Sequence, residues 1–306
     1  MLMRFSPQGE FGMAATRHAP LPAQLAALFV DGGLGRTLLV ALPAGQLVGP
    51  AGQREDLNPK VPDGRGDPGV RAAFWVSDGP ATAALWSRLR AEHGRSGLWP
   101  LLLEDLGVGG DPAYPWLSGG GATAEPVREI GSHDPAGFLE AKWAATVPLN
   151  DAWLQENAGE FLRRFGRGWP GLAPPGALID DPAVVADRCA AGMADGRMRL
   201  GLVAVGRGAD ALVATGWVGA ANYFHRTAEL AAVVRSWEDR FGARVVGLGC
   251  TTACLSVAAP PVSFEHALRV AAEHLLVCPD NIEGVGTLAE YAEQLRGATT
   301  WSFWWD

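Results

Sequence analysis

The sequence has few cysteines and no long hydrophobic run. No stretch of about 18 uninterrupted apolar residues occurs, so no membrane-spanning helix is expected. Residues 1–7 do not combine a charged segment with a long apolar one, and we therefore predict no secretory signal. Four cysteines in 306 residues are too few for a disulfide scaffold. These absences predict a soluble protein in the reducing cytoplasm.

The sequence also lacks a run of lysine or arginine residues. The formal net charge is −8 and the sequence pI is about 5.3. A general nucleic-acid-binding protein needs a basic surface, so a nucleic-acid partner is not expected. Neither is a membrane partner. Hydrophobic residues make up 48% of the chain and charged residues 19%, which is typical of a folded globular protein. The remaining partner classes are another protein and a small molecule.

The chain is predicted to divide into two parts. Residues 107–126 are rich in glycine and proline, so we place a boundary there and predict an N-terminal unit at 1–125 and a C-terminal domain at 126–306. The first contains a strand–helix–strand pattern with strands near 72–77 and 98–103. An apolar run at 36–42 predicts a further strand, and the glycine, proline and charged residues at 43–69 predict a long loop. The fold class is α/β (α+β), with a mixed β-sheet flanked by helices in the C-terminal part.

The clearest elements lie in the last third of the chain. The spacing of apolar residues predicts a helix over 230–241, which Gly242 ends. Strands at 244–249 and 254–258 follow, and their short connection predicts an antiparallel hairpin. A helix then begins after Ser263, and a shorter one begins after Thr287 with Glu290 completing a capping box.

The C-terminal residues predict a closing strand with two different faces. Residues alternate across a strand, so Trp301, Phe303 and Trp305 face one way while Ser302, Trp304 and Asp306 face the other. We expect the first row to pack on the helices. The second row has to be covered by the N-terminal half, a ligand or a partner.

Several unusual short sequence motifs in this region resemble those of one uncharacterised, largely actinobacterial family of proteins. They are the run at 235–246, Ala-Ala-Glu-His at 271–274, Cys-Pro-Asp-Asn at 278–281, Gly-Thr-Leu at 286–288, Glu-Tyr-Ala at 290–292 and Trp-Ser-Phe-Trp-Trp-Asp at 301–306. The family is defined as domain of unknown function 4253, and the resemblance is strongest over 197–306. It implies no established activity. In the family's pattern an aromatic residue usually stands at position 250 and an acidic residue at position 251.

Four residues have the chemistry and spacing of a metal site. Cys250, Cys254, His274 and Cys278 supply thiolate and imidazole groups, and we expect the helix that carries His274 to return toward the hairpin. The alternative is buried cysteines that act as small apolar residues, with a hydrogen-bonded histidine. The cysteine at position 250 departs from the family pattern, which weighs against zinc. We therefore predict no cofactor.

Catalytic candidates are few, and whether the protein is an enzyme stays open. Cys278 and His274 form the one local thiol–imidazole pair, although both lie at the negative end of a helix, which disfavours a thiolate. Asp280 and Asn281 follow that helix in a loop, where turn formation is the alternative role.

Trp237 and Glu238 are candidates for binding a ligand or partner, together with Trp304. Glu238 and Asp239 would be an acid/base pair only if both faced one cleft, which is awkward because adjacent helical positions point about 100° apart. The alternative, which we favour, is a solvent-exposed helix face that also carries Arg235 and Arg240.

Two functions remain. The first is a non-catalytic interaction or regulatory protein, for example one that neutralises a toxin. It is favoured by the weak catalytic candidates and the C-terminal aromatic residues. The alternative is an enzyme or binding protein for a small molecule, with a pocket between the two halves near His274, Cys278, Asp280 and Trp304. Polar groups that converge in such a pocket would favour the alternative.

Overall fold

The computed structural model describes residues 19–49, 73–104, 125–149, 151–194 and 196–306. Most of the predicted linker at 107–126 lies outside these ranges. The strands are β1 Gly45–Val48, β2 Phe74–Pro80, β3 Leu98–Leu103, β4 Arg199–Ala204, β5 Arg244–Leu248, β6 Thr252–Ser256 and β7 Thr300–Trp304. The α-helices are α1 Ala23–Ala26, α2 Ala83–Ser96, α3 Pro135–Leu149, α4 Asp151–Asn157, α5 Gly159–Phe165, α6 Pro182–Met193, α7 Ala211–Ala214, α8 Thr227–Phe241, α9 Phe264–Val277, α10 Asp280–Glu283 and α11 Leu288–Leu295. In the described ranges, no helix combines the length and hydrophobicity that crossing a bilayer requires.

The seven strands form one mixed sheet in the order β1-β2-β4-β3-β5-β6-β7. Strands β3 and β5 pair in parallel, and the other neighbours pair antiparallel. The α/β class with a mixed sheet is thus confirmed. Strand β4 lies between β2 and β3, so the segments before and after residue 125 contribute to the same sheet. The division into two domains stays a prediction.

The C-terminal elements follow the predicted pattern. The β5–β6 hairpin pairs Val245 with Leu255, and β7 adds to β6 with Leu255 opposite Trp301. Helix α8 ends at Gly242, whose φ of 57° lies in the left-handed region that glycine tolerates. Thr287 begins α11 with a complete capping box. Local chemistry therefore determines where these elements start and stop.

Each face of the sheet packs against its own hydrophobic core. Helices α8, α9 and α11 cover one face, where Leu255, Trp301 and Phe303 are buried. Helices α2 and α6 cover the other face, on which Trp75 and Val246 are buried. Because side chains alternate along a strand, the neighbouring residues Val245 and Val246 of β5 belong to different cores.

Two predictions in the N-terminal half were wrong. The apolar run at 36–42 is not a strand but an irregular segment, with one isolated bridge at Thr37. Its apolar side chains are nevertheless buried at Leu38 and Val40. The edge strand is instead β1, within a region that its glycine and proline content had marked as a loop. A side chain at Gly45 would overlap the indole of Trp75, so glycine is needed where the two strands meet.

Candidate functional site

The loop after α9 fastens the C-terminal strand. The Asn281 side chain donates a hydrogen bond from Nδ2 to the Ser302 carbonyl (2.7 Å) and accepts one at Oδ1 from the Trp304 amide (3.2 Å). These are backbone groups on the outer edge of β7, where no further strand pairs among the described residues. One side-chain amide thus replaces a neighbouring peptide group and covers part of this edge.

Two further residues of the same loop hold the end of the chain. The Cys278 thiol donates to the Trp304 carbonyl (3.0 Å), and burial raises the pKa of this thiol to about 12. The Asp280 carboxylate accepts from the Asp306 amide (3.0 Å) and from the Tyr223 hydroxyl (2.7 Å). A thiol that stays protonated is a poor nucleophile. Cys278 and Asp280 therefore act as supports of β7.

His274 lies in the core beneath this loop. Its Nδ1 is 3.0 Å from the Tyr291 hydroxyl, and its ring packs against the aromatic rings of Trp237, Trp301 and Phe303. Burial, followed by the positive charge of Arg240, lowers its pKa to about 3. A neutral, fully buried imidazole fills the core and has no access to a substrate.

Trp237 belongs to a buried polar network. Its indole N–H donates to Glu273 (2.7 Å), which also accepts the Ala173 amide (2.7 Å) and two hydrogen bonds from Arg240 (2.9 and 2.7 Å). The carboxylate thus has several donors, as a buried charge requires. The network joins α8, α9 and the segment before α6.

Glu238 is also buried, although its neighbour Asp239 is exposed. It accepts hydrogen bonds from the Ala209 amide (3.0 Å) and from Arg207 Nε (2.7 Å). Burial raises the pKa of Glu238, and Arg207 opposes that shift. The solvent-exposed face of α8 therefore includes Asp239 but not Glu238.

The four residues considered as a zinc site are not brought together. Cys254 points to the face of the sheet that α6 covers, whereas His274 and Cys278 pack on the opposite face. Cys250 is half-buried in the connection between β5 and β6. No group of three or more His, Cys, Asp or Glu side chains in the described part of the chain could hold a metal ion.

A groove of about 770 Å³ lies between α6 and the last three strands. Helix α6 packs on β5 and β6 and leaves the face of β7 open. The indole of Trp304 borders the groove and is 51% exposed, whereas Trp301, Phe303 and Trp305 are buried. The residues that line the groove include Glu104, Arg188, Cys189, Gly192, Met193, Gly247, Thr252, Cys254, Thr300, Ser302 and Trp304.

Polar groups concentrate on the strand side of the groove. The hydroxyls of Thr252, Thr300 and Ser302 line it, and Thr252 Oγ1 is 3.2 Å from the Glu104 carboxylate. The guanidinium of Arg188 lies on the helix side and pairs with Asp180 at 2.7 Å. The groove therefore offers apolar surface, hydroxyl groups and charges of both signs.

The groove differs in place from the predicted pocket. It includes Asn281 and Trp304, which were candidates, but it lies on the other side of the sheet from His274. Glu104, Cys189 and Thr300 were not identified from the sequence. They are widely separated along the chain, and no short motif connects them.

The family model of the domain of unknown function DUF4253 matches residues 199–306. No curated protein and no solved structure matches the chain. The matched segment contains β4–β7 and the loop that fastens the C-terminal strand, whereas α6 precedes it. Two of the motifs that resemble the family, Cys-Pro-Asp-Asn and Trp-Ser-Phe-Trp-Trp-Asp, contact each other through the hydrogen bonds of Cys278, Asp280 and Asn281. Over its last third, the chain is thus similar to a domain of unknown function.

Proposed function

We propose that the protein binds a small organic molecule in the groove between α6 and β5–β7. The observation that carries this proposal is the exposed indole of Trp304 beside converging polar groups. A volume of about 770 Å³ falls within the usual size of ligand pockets, which is about 300–1,000 Å³. Binding, rather than catalysis, needs no activated nucleophile.

The loop that fastens β7 supports this role. Asn281 and Cys278 hold the backbone of Trp304 on both its amide and its carbonyl side. A binding surface that is already rigid loses less entropy when a ligand arrives. An apolar or aromatic part of a ligand would cover the Trp304 indole and remove it from water.

The polar groups define the other part of the ligand. The Glu104 carboxylate accepts hydrogen bonds, and the hydroxyls of Thr300 and Ser302 both donate and accept them. A molecule with an amine or hydroxyl group at one end and an apolar group at the other fits this distribution. An anionic substituent on the helix side would compete with Asp180 for the donors of Arg188.

A second candidate function is binding of a protein partner, of which a regulatory or toxin-neutralising role would be one form. It is favoured by the segment before and at the start of α6, where Leu178 and Ile179 are 63% and 55% exposed. Large exposed apolar side chains are common at protein interfaces. Replacement of both residues by aspartate would abolish binding of a protein partner to this segment but leave the groove's lining unchanged.

A compound screen tests the groove with a matched pair of variants. Gly192 lines the groove, and Gly94 lies on α2. At both positions an added Cβ atom meets no atom within 4 Å, so a larger side chain can start there without a clash. Gly192→Phe therefore fills the groove, whereas Gly94→Phe places the same side chain elsewhere on the surface.

We expect compounds that raise the melting temperature of the wild type to act equally on Gly94→Phe and not on Gly192→Phe. A ligand at 100 times its Kd stabilises the folded state by about 2.7 kcal/mol, which a thermal-shift assay detects. Compounds that stabilise all three proteins alike would show that the ligand site lies elsewhere.

A further inference from the structure

Three sulfur atoms meet in the groove. Cys189 Sγ lies 3.9 Å from Cys254 Sγ and 3.9 Å from Met193 Sδ. Cys189 and Met193 are one helical turn apart on α6, and Cys254 lies on β6. Thiolates and thioethers are soft ligands, and their meeting point lies in an open groove.

A glycine on β5 makes room for this group. Gly247 stands opposite Cys254 in the hairpin, and a side chain there would come within 2.4 Å of the Met193 methyl group. The absence of that side chain lets the thioether lie against β5 at Gly247, the residue that pairs with Cys254. A Cβ atom at residue 247 would lie 3.6 Å from Met193 Sδ.

We propose that Cys189, Cys254 and Met193 form a binding site for a soft monovalent metal ion, Cu(I). With metal–sulfur bonds of about 2.3 Å, a trigonal ion separates its ligands by about 4.0 Å. The Cys189–Cys254 and Cys189–Met193 sulfur separations, both 3.9 Å, match this value. The site goes beyond the proposed binding of an organic molecule and does not depend on it.

Cu(I) binding exchanges the two thiol protons for one metal ion. Binding forms two Cu–thiolate bonds and one Cu–thioether bond, and it releases both thiol protons to solvent. Copper remains Cu(I), so no oxidant or reductant takes part.

The surroundings favour Cu(I) over zinc. Structural zinc takes four ligands, almost always thiolates, imidazoles or carboxylates. Among the described residues, the hydroxyls of Thr300 (3.8 Å from Cys189) and Ser302 (3.9 Å from Cys254) also lie next to these sulfur atoms. Two thiolates and a thioether match the preference of a soft ion with low coordination number.

The test is an anaerobic titration of the fully reduced protein with Cu(I) supplied as its bicinchoninate complex. We expect the wild type to remove one Cu(I) per chain. Cys189→Ser and Cys254→Ser should each weaken binding by roughly 100-fold, and Met193→Leu by about tenfold. Cys250→Ser is the control, because Cys250 does not line the groove, and it should bind as the wild type does.

Two results would overturn the site: no stoichiometric uptake by the wild type, or uptake that Cys189→Ser and Cys254→Ser leave unchanged. X-ray absorption of the loaded wild type provides a measurement that does not depend on variants that fold. Three sulfur neighbours at about 2.3 Å would support the site, whereas nitrogen or oxygen neighbours would contradict it. Trp304→Ala separates the two proposals, since it removes the indole that an organic ligand would cover and leaves the three sulfur ligands in place.

Discussion

His274 illustrates how burial decides the role of a residue with catalytic chemistry. A histidine beside a cysteine on one helix suggested a reactive pair, but neither side chain has access to a substrate. The imidazole is enclosed by aromatic rings, and its pKa falls to about 3. The alternative considered from the sequence, a hydrogen-bonded core histidine, describes its contacts. Only the packing of three separate elements determines this environment, so the local sequence does not reveal it.

This burial predicts a specific dependence of stability on pH. Above the ordinary histidine pKa of 6.5, His274 is neutral in both the folded and unfolded states. As the pH falls from 6.5 toward 3, the unfolded state binds a proton that the folded state rejects, so stability is lost. Between pH 6.5 and 5 the loss is about 2 kcal/mol.

His274→Gln removes this titration but keeps a polar group. Urea unfolding at pH 6.5 and pH 5 should therefore show a smaller loss of stability in the variant than in the wild type, by about 2 kcal/mol. Equal losses in the two proteins would show that His274 takes up its proton in the folded state as well.

Asn281 predicts a second effect at the level of one residue. Asn281→Asp keeps the acceptor for the Trp304 amide but replaces the donor to the Ser302 carbonyl by a second acceptor. We expect a loss of about 1–3 kcal/mol in unfolding free energy.

The same substitution at Asn157 is the control, since that side chain donates to the Trp153 carbonyl of its own helix. We expect it to cost no more than about 1 kcal/mol. A larger loss at Asn157 than at Asn281 would contradict the role of Asn281 in fastening β7.

Among the elements, β7 follows most directly from its sequence. Alternation alone predicted that Trp301, Phe303 and Trp305 would be buried together, and they are. The same rule identified Trp304 as the aromatic residue that the helices do not cover. Helix ends were also predictable where a capping residue is present, as at Thr287 and Ser263.

Two adjacent tryptophans make this alternation testable. Trp305→Ala should cost about 3–5 kcal/mol of unfolding free energy, because it empties a core site and removes the hydrogen bond to the Val277 carbonyl. Trp304→Ala should cost less than about 1 kcal/mol, as expected for a half-exposed side chain. Chemical denaturation measures both, and similar costs would mean that the strand's two faces are not distinct.

Strand β1 could not be predicted from the sequence pattern. Its four residues carry no strong alternation, and their glycine is required by the Trp75 ring of the neighbouring strand. A glycine selected by a distant contact resembles a loop glycine in sequence. The segment at 36–42 has the reverse property, since apolar residues are buried there without regular pairing.

For the whole molecule, the order of the strands has a consequence for folding. Strand β4 has β2 and β3 as its neighbours, and the Trp99 indole on β3 donates to the Val245 carbonyl on β5 (2.9 Å). A chain restricted to residues 126–306 would lack both neighbours of β4. We expect this fragment to show no cooperative thermal unfolding by circular dichroism, while the full chain does. A cooperative transition in the fragment would instead support two independent domains.

The groove could be predicted only in part. The exposed Trp304 and its supporting Asn281 were identified as candidates from the sequence. The opposite wall was not, because α6 reaches the strands through contacts between residues that are more than 60 positions apart, such as Cys189 and Cys254. Pockets built from several distant elements follow from the three-dimensional fold.

Nuclear magnetic resonance of the indole N–H groups can show whether a ligand binds beside Trp304. The chain has 12 tryptophans, and the Trp304→Phe variant identifies the Trp304 signal. A compound found in the screen should shift that signal and leave the signal of Trp143, a buried residue that does not line the groove, unchanged. A compound that binds the protein without moving the Trp304 signal would contradict the claim.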